Sequence, residues 1–218
     1  MPLSTIQSEI LHLLASQRDP ESYVAGATPL NREGQVAIAA MDDIQVMEAA
    51  GFEVKMLRQM PAIYTAEVTR QGTGTLLEWV ADSDFRFFPI LRDELFGYVL
   101  HPVDLAMNKA MAAAGRRELR DLVDLVTIHE KILPLGAVIW AAVEKSPGFT
   151  PEGLIAEIRR NSQYPAAEWR ALATAEALDP AGILSRLRRA LDEAEAFVLR
   201  VPELLVRYSI RSLQIILT

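Results

Sequence analysis

The sequence contains no cysteine among its 218 residues. Disulfide bonds, thiolate catalysis and cysteine-based zinc sites are therefore excluded. Histidine is almost as scarce, because only His12, His101 and His129 occur, too far apart along the chain for any recognised zinc-ligand spacing. These absences exclude thiol chemistry and the familiar zinc sites.

The chain also lacks a long apolar run and an excess of positive charge. No stretch of eighteen apolar residues occurs, so no membrane span is predicted. The first twenty residues have no basic segment and carry Glu9 within a helical pattern, which predicts a first helix rather than a signal peptide. A net charge of −7 argues against broad binding to nucleic-acid phosphates, although Arg116, Arg117 and Arg120 form a local basic patch. We expect a cytoplasmic protein.

What the sequence does contain is a hydrophobic period that changes along the chain. Residues 4–16 and 36–50 have the spacing of amphipathic helices, and Gly51 predicts the end of the second. Alternating apolar residues then predict three strands, near residues 52–56, 62–68 and 76–80. The linker at 71–74 predicts a hairpin connection between the last two.

Beyond His101 the pattern is helical almost throughout. Glycines and prolines separate five predicted helices, at about 102–114, 117–132, 135–145, 151–161 and 181–200. The sequence therefore predicts an α+β protein. A small α/β domain at 1–100, with a mixed sheet and helices, is followed by a helical C-terminal domain at 101–218.

The first candidate for chemistry is the segment VAGATPLNR at 24–32. Gly26, Ala27 and Thr28 are small residues after an apolar strand, which lets backbone N–H groups approach a phosphate closely. Asn31 or Arg32 could assist such a contact. The same residues equally suit an ordinary turn.

The second candidate is Glu78, which lies between apolar residues in a predicted strand. Strands disfavour glutamate, and burial of an unpaired charge is unfavourable, so such a residue often faces a cleft or a metal ion. The alternative is a glutamate on the solvent face of the strand.

The third candidate is Lys109 together with the helix that follows it. Asp121 and Asp124 are three residues apart and share the polar face of the predicted helix. Arg117 and Arg120 each precede one of these aspartates by four residues. The alternative is a set of surface ion pairs, each contributing a few tenths of a kcal/mol.

Read in order, these segments resemble the AbiEii-like nucleotidyltransferases, the AbiEii/AbiGii toxin family. The resemblance rests on VAGATPLNR at 24–32, LEWVADSDFRFFP at 77–89 and ELFGYVLHPVDLAMNKAMAAAGRRELRDLVDL at 94–125, and continues more loosely through 134–160. It implies a mixed sheet with a nucleotide site, backed by a helical domain. It also implies transfer of a nucleotide from a nucleoside triphosphate to an RNA or protein acceptor with magnesium, and in some members an antitoxin partner.

The resemblance assigns roles to residues on both sides of residue 101. Gly26, Ala27 and Thr28 would hold triphosphate oxygens, with Arg32 nearby, and Glu78 would be the third acidic residue.

In the helical part, Lys109 would contact phosphate. Arg120, Asp121 and Asp124 would belong to the Arg-Asp…Asp motif of the family.

The family also places an Asp-x-Asp strand shortly after the small-residue turn. Two carboxylates one residue apart on a strand point to the same side and can hold Mg²⁺ against triphosphate oxygens, where the ion neutralises developing charge. Here the nearest acidic pair is Asp42 and Asp43, and Gln45 takes the place of the second ligand. Asp42, Asp43 and Glu78 are thus the predicted metal ligands, in an incomplete motif.

A second alignment treats residues 42–54 as the helix and strand that normally follow the Asp-x-Asp strand. That strand is then missing between Gly34 and Val36, and the helical period of 36–50 favours this version. The sequence leaves three functions open. The first is an active nucleotidyltransferase, the second is a catalytically degenerate member that binds a nucleotide or a protein, and the third is a helical interaction module whose resemblance to the family is only ancestral.

Overall fold

The computed structural model of the protein describes residues 3–26, 28–31, 34–82, 85–146, 148–171 and 179–216, with only the backbone at 28–30, 171 and 202–216. The chain divides into two compact units, Met1–Asp104 and Leu105–Thr218. The first combines a sheet with helices and the second is helical, so the protein is α+β. None of the described helices is both long enough and apolar enough to cross a membrane.

Two helices of the first unit form where the periodicity predicted them. Helix α1 spans Thr5–Leu13 and begins with a capping box, in which Ser4 and Gln7 each accept a backbone N–H of the other. A 3-10 turn at Leu14–Gln17 continues it. Helix α2 spans Val36–Ala49 and ends before Gly51, whose φ of +83° supplies the left-handed conformation of a helix C-terminus.

Among the described residues, seven strands form one mixed sheet: β1 Ser22–Ala25, β2 Thr28–Asn31, β3 Glu53–Met60, β4 Ile63–Arg70, β5 Thr73–Ala81, β6 Leu91–Asp93 and β7 Gly97–Val99. Their order across the sheet is β3-β4-β5-β2-β1-β7-β6. Strands β2 and β5 run parallel, as do β1 and β7, and the other neighbours are antiparallel. The β1–β2 hairpin is therefore the centre of the sheet.

The predicted strands near 52–56, 62–68 and 76–80 are confirmed as β3, β4 and β5. The hairpin connection between the last two is shorter than the predicted 71–74. It consists of Gln71 and Gly72, with φ values of 52° and 77°. Positive φ at both central residues is the conformation that matches the twist of a two-residue hairpin.

One face of β4 and β5 packs against α1 and α2. Ala66, Val68, Leu77 and Trp79 are buried there with the apolar residues of both helices. Successive residues of a strand point to opposite faces. Leu76 accordingly has 59% of its surface exposed, on the other face.

The second unit consists of helices: α3 Pro102–Gly115, which begins at the division, α4 Leu119–Lys131, α5 Leu135–Ala142, α6 Pro151–Asn161, α7 Ala166–Ala171 and α8 Pro180–Ile216. Helix α8 packs against α4, α5 and α6. The five predicted helices are confirmed, but the last extends far beyond residue 200. Helix α7 was not predicted, and a 3-10 turn at Val143–Lys145 follows α5.

Candidate functional site

The first predicted metal ligand, Asp43, lies in a buried cluster that we call the Asp43 cluster: Arg18, Asp43 and Trp79. Arg18 donates from Nη1 to Asp43 Oδ1 at 3.0 Å and from Nη2 to Oδ2 at 2.7 Å. Trp79 donates from Nε1 to the same Oδ2 at 2.7 Å. The Arg18 and Asp43 side chains each have 1% of their surface exposed, and Trp79 has none. The cluster joins the end of the 3-10 turn, α2 and β5.

Asp43 also decides between the two alignments of its segment. It lies in the middle of α2, so residues 42–45 do not form an Asp-x-Asp strand. The first alignment, with Asp43 and Gln45 as paired ligands on a strand, is therefore wrong. The helix at 36–49 and strand β3 have the secondary structure that the second alignment expects of residues 42–54, while the alignment itself stays a prediction.

The predicted ligands Asp42, Asp43 and Glu78 do not meet around one ion. Asp43 already neutralises the Arg18 guanidinium, and both of its oxygens accept hydrogen bonds. Asp42 is exposed on α2. Glu78 precedes the buried Trp79 on β5, so it points to the opposite face of the sheet.

These residues do not fit a magnesium ion, which needs several oxygen ligands converging at about 2.1 Å. No group of three or more histidine, aspartate or glutamate side chains could hold a metal ion in the ranges that the structure describes. The described ranges therefore show no three-carboxylate site at Asp42, Asp43 and Glu78, and the magnesium ion itself stays a prediction.

The predicted phosphate-binding turn is the loop of the β1–β2 hairpin. Ala25 pairs with Thr28, and Gly26 directly follows the last paired residue of β1. Gly26 is exposed with a φ of +68°, and a Cβ added there would meet no atom within 4 Å. Ala27, Arg32 and the Thr28 side chain lie outside the described residues. Of the predicted phosphate-binding residues in this turn, the structure thus describes Gly26 in full, and its backbone is exposed.

In the second unit, Lys109 lies between the two predicted aspartates of α4. Its Nζ is 2.8 Å from Asp124 Oδ2 and 3.9 Å from Asp121 Oδ1. Arg116 donates to both oxygens of Asp121, at 2.9 and 3.2 Å. We call these four residues the Lys109 cluster.

The Lys109 cluster differs from the predicted surface ion pairs in the burial of Asp121 and in the residues that pair with it. Asp121 has only 1% of its surface exposed, so it does not lie on the solvated face with Asp124. The predicted partner Arg117 contacts Glu168 instead, at 3.0 Å. Arg120 is exposed at the start of α4. Ion pairs with Lys109 on α3 and with Arg116 in the α3–α4 connection allow Asp121 to be buried with its charge neutralised.

The charges of the Lys109 cluster are balanced, with two cations and two anions. The Lys109 side chain nevertheless has 28% of its surface exposed, so it is only partly buried by the carboxylates that hold its ammonium group. A lysine held in place by carboxylates can donate to a phosphate oxygen as a positioned point charge. This is the chemistry that the predicted role of Lys109 requires.

A third group of polar residues, Tyr23, Asp82 and Arg86, was not singled out from the sequence. The buried Tyr23 on β1 donates to Asp82, which directly follows β5. Burial raises the pKa of Tyr23 above its ordinary value, and the hydrogen bond to Asp82 raises it further. Arg86 lies over the tyrosine ring, 5.1 Å from its centroid. In the sequence, the feature that pointed to this group was a tyrosine within a short apolar strand.

Asp104, in the HPVDL segment, also has a structural role that the sequence did not reveal. It is fully buried, and its two carboxylate oxygens accept the backbone N–H groups of Phe87 and Phe88 at 3.0 Å each.

The chain matches no family model, no curated protein and no solved structure. The resemblance to the AbiEii-like nucleotidyltransferases therefore stays a prediction from the residues.

Proposed function

We propose that this protein is a degenerate AbiEii-like nucleotidyltransferase that binds a nucleoside triphosphate without transferring a nucleotide from it. The observation that carries the proposal is the Asp43 cluster, in which an arginine and an indole N–H occupy the carboxylate of Asp43. Nucleotide transfer requires metal ions held by carboxylates against the triphosphate, and the described residues bring together no group of three or more carboxylates or histidines that could do so.

Two features support the retention of nucleotide binding. The segments that resemble the family include Gly26, which is exposed, and Lys109, whose ammonium group is positioned by carboxylates on a side chain that is partly exposed. Neither feature needs the missing carboxylate pair, because both act on phosphate oxygens through N–H groups and positive charge. An RNA or protein acceptor then has no chemical role, whereas an antitoxin-like protein partner remains compatible with binding alone.

The test measures transfer and binding separately. The full chain is incubated with each of the four α-³²P-labelled ribonucleoside triphosphates, with Mg²⁺ or Mn²⁺, and with bulk RNA and the protein itself as acceptors. We expect no label on any acceptor. In parallel, a triphosphate at 100 times its dissociation constant should stabilise the fold by about 2.7 kcal/mol, which raises the melting temperature by roughly 5–10 °C.

Matched variants identify the binding residue. Lys109→Met should remove most of the thermal shift, whereas Lys131→Met, at an exposed lysine on the end of α4, should leave it unchanged. Label transfer that is lost in Glu78→Ala would show that the chain is an active transferase and would refute the proposal. The absence of any shift with all four triphosphates would refute nucleotide binding.

A further inference from the structure

The sheet of the first unit ends in a long strand with a free edge. In the sheet that the described residues form, β3 lies outermost, with β4 as its neighbour. Its eight residues are more than the roughly five to six of a typical strand, and the last four are all exposed. The outer row of backbone N–H and C=O groups of an edge strand can pair with a further strand. The free edge of β3 is therefore a candidate interaction surface.

A β-bulge limits the regular part of this edge. The pairing of β3 with β4 is continuous from Glu53 to Met56 and shifts in register between Met56 and Arg58. A bulge bends the strand and disturbs its ladder, which keeps an edge strand from pairing along its whole length. A further strand can therefore add in regular register only along residues 53–56.

The apolar face of this regular part is incompletely covered. Val54 and Met56 pack against the core that β4 and β5 share with α1 and α2, and both side chains stay partly exposed at the edge. A strand that adds here with its own apolar residues on the same face would remove this surface from water. The added strand must therefore alternate apolar and polar residues, as β3 itself does.

The charges of β3 favour a second copy of β3 as the added strand. Glu53 and Lys55 are exposed and two residues apart, so both point to the face opposite to Val54. In an antiparallel pair about a two-fold axis perpendicular to the sheet, a residue at the axis lies opposite its own copy. With Val54 at the axis, Glu53 of each copy lies opposite Lys55 of the other, which gives two favourable cross-strand pairs. With Glu53 or Lys55 at the axis like charges would oppose each other, and with Met56 there the pairing would run into the bulge.

We propose that β3 pairs antiparallel with β3 of a second copy of this chain, centred on Val54. The two sheets then join into one, with their apolar faces on the same side, and Val54 of each copy covers Val54 of the other. The two pairs of Glu53 and Lys55 set the register. The assembly closes at two copies, because the two-fold axis uses the β3 edge of both. This interface does not depend on nucleotide binding.

Sedimentation equilibrium of the full chain measures the association, in which the 24.2 kDa chain should approach twice its mass as its concentration rises. Lys55→Glu places glutamates opposite each other and Glu53→Lys places lysines opposite each other, so each should weaken the dimer by about tenfold or more. The double variant with Glu53→Lys and Lys55→Glu restores opposite charges and should associate as the native chain does. Lys131→Glu and Glu48→Lys, at exposed sites on α4 and α2, change the net charge by the same amounts and should leave the association unchanged.

The absence of cysteine allows a second test that changes no charge. Opposite residues of antiparallel strands have Cα atoms about 4.5–5.5 Å apart, which is within the range of a disulfide. Val54→Cys should therefore form a disulfide-linked dimer under mild oxidation, visible on a non-reducing gel. Gln59→Cys is the control, because it is more exposed on the same strand but would lie about 30 Å from its own copy in this register. It should not cross-link.

The indole signals in ¹H–¹⁵N spectra check that the variants fold. The chain has three tryptophans; Trp79 is fully buried in the first unit, whereas Trp140 and Trp169 lie in the second. The Trp79 signal is assigned by its loss in Trp79→Phe and should keep its position in the charge variants, whose substituted residues are exposed.

Three results would overturn the proposal. The first is a full chain that stays a single copy up to millimolar concentration, which would leave the β3 edge to a strand of another protein. The second is a double charge variant that associates no better than the single variants. The third is cross-linking of Gln59→Cys as readily as Val54→Cys. If Val54→Cys fails to fold, the exposed charge variants still decide.

Discussion

Replacement of Asp43 by alanine should destabilise the first unit strongly. The substitution removes the acceptor of two Arg18 donors and of the Trp79 indole, all of which are almost fully buried. Removal of one partner of a buried ion pair costs about 3–5 kcal/mol, because the other charge stays buried without compensation. Since whole proteins are stable by about 5–15 kcal/mol, the loss is a large fraction of the total.

Urea unfolding measures this loss. The two units need not unfold together, so the Trp79 indole signal is followed as a probe of the first unit alone. For a slope of about 2 kcal/mol per M urea, Asp43→Ala should lower the midpoint by about 1.5–2.5 M. Asp42→Ala is the matched control, because it alters the adjacent, exposed carboxylate and should change the free energy of unfolding by less than about 0.5 kcal/mol.

A double-mutant cycle separates the ion pair from simple loss of packing. Arg18→Met and Asp43→Leu each leave one buried charge without its partner. The double variant leaves no unpaired charge and should lose less stability than the sum of the losses in the two single variants. Equal midpoints for Asp43→Ala and Asp42→Ala would refute the structural role of Asp43. Stabilisation of the native chain by Mg²⁺ that disappears in Asp43→Ala would refute it as well.

Two further predictions concern other parts of the molecule. The pKa of Tyr23 is raised in the folded chain, so above about pH 10 the unfolded chain loses a proton that the folded chain keeps, and the free energy of unfolding falls. In urea titrations between about pH 9 and 11, Tyr23→Phe should make the free energy of unfolding fall less steeply with pH. An unchanged dependence on pH would contradict the raised pKa of Tyr23. In the second unit, Gly136→Ala would place a Cβ 2.8 Å from Phe197 Cβ. Thermal unfolding followed by the Trp140 signal should show a loss of about 1–3 kcal/mol, and no loss would mean that α5 and α8 are not packed as described.

The long elements of the fold were predictable because each has a clear period. The helical spacing of 36–50 and the alternation around Val68 both follow from one buried face. Strands β6 and β7 have three residues each, too few for a period to show. Strand β2 contains Pro29, which argues against a central strand because proline cannot donate to a ladder. Its parallel pairing with β5 begins only at Leu30, one residue after the proline.

The site was less predictable, because the partners of its buried carboxylates lie outside the helix that carries each carboxylate. Helical period places Asp121 with Asp124 on a polar face, but Arg116 and Lys109 neutralise Asp121 and allow it to be buried. Likewise, nothing in α2 indicates that Arg18 binds Asp43. The sequence did indicate to which face of the sheet Glu78 points. Two large apolar residues flank it and share one face, and the alternation of a strand directs Glu78 to the other face.

The local structure around Asp43 also bears on whether a single substitution could restore a metal site. Gln45 occupies the place of the second carboxylate in the first alignment, which suggests that Gln45→Asp would complete the pair. On a strand this substitution would complete the pair, because residues two apart point to the same side of the strand. In α2, however, two residues correspond to a rotation of about 200°, so residue 45 points away from the sheet. Gln45 is accordingly exposed where Asp43 is buried. The helix, and not the amide at position 45, prevents the two-carboxylate geometry here.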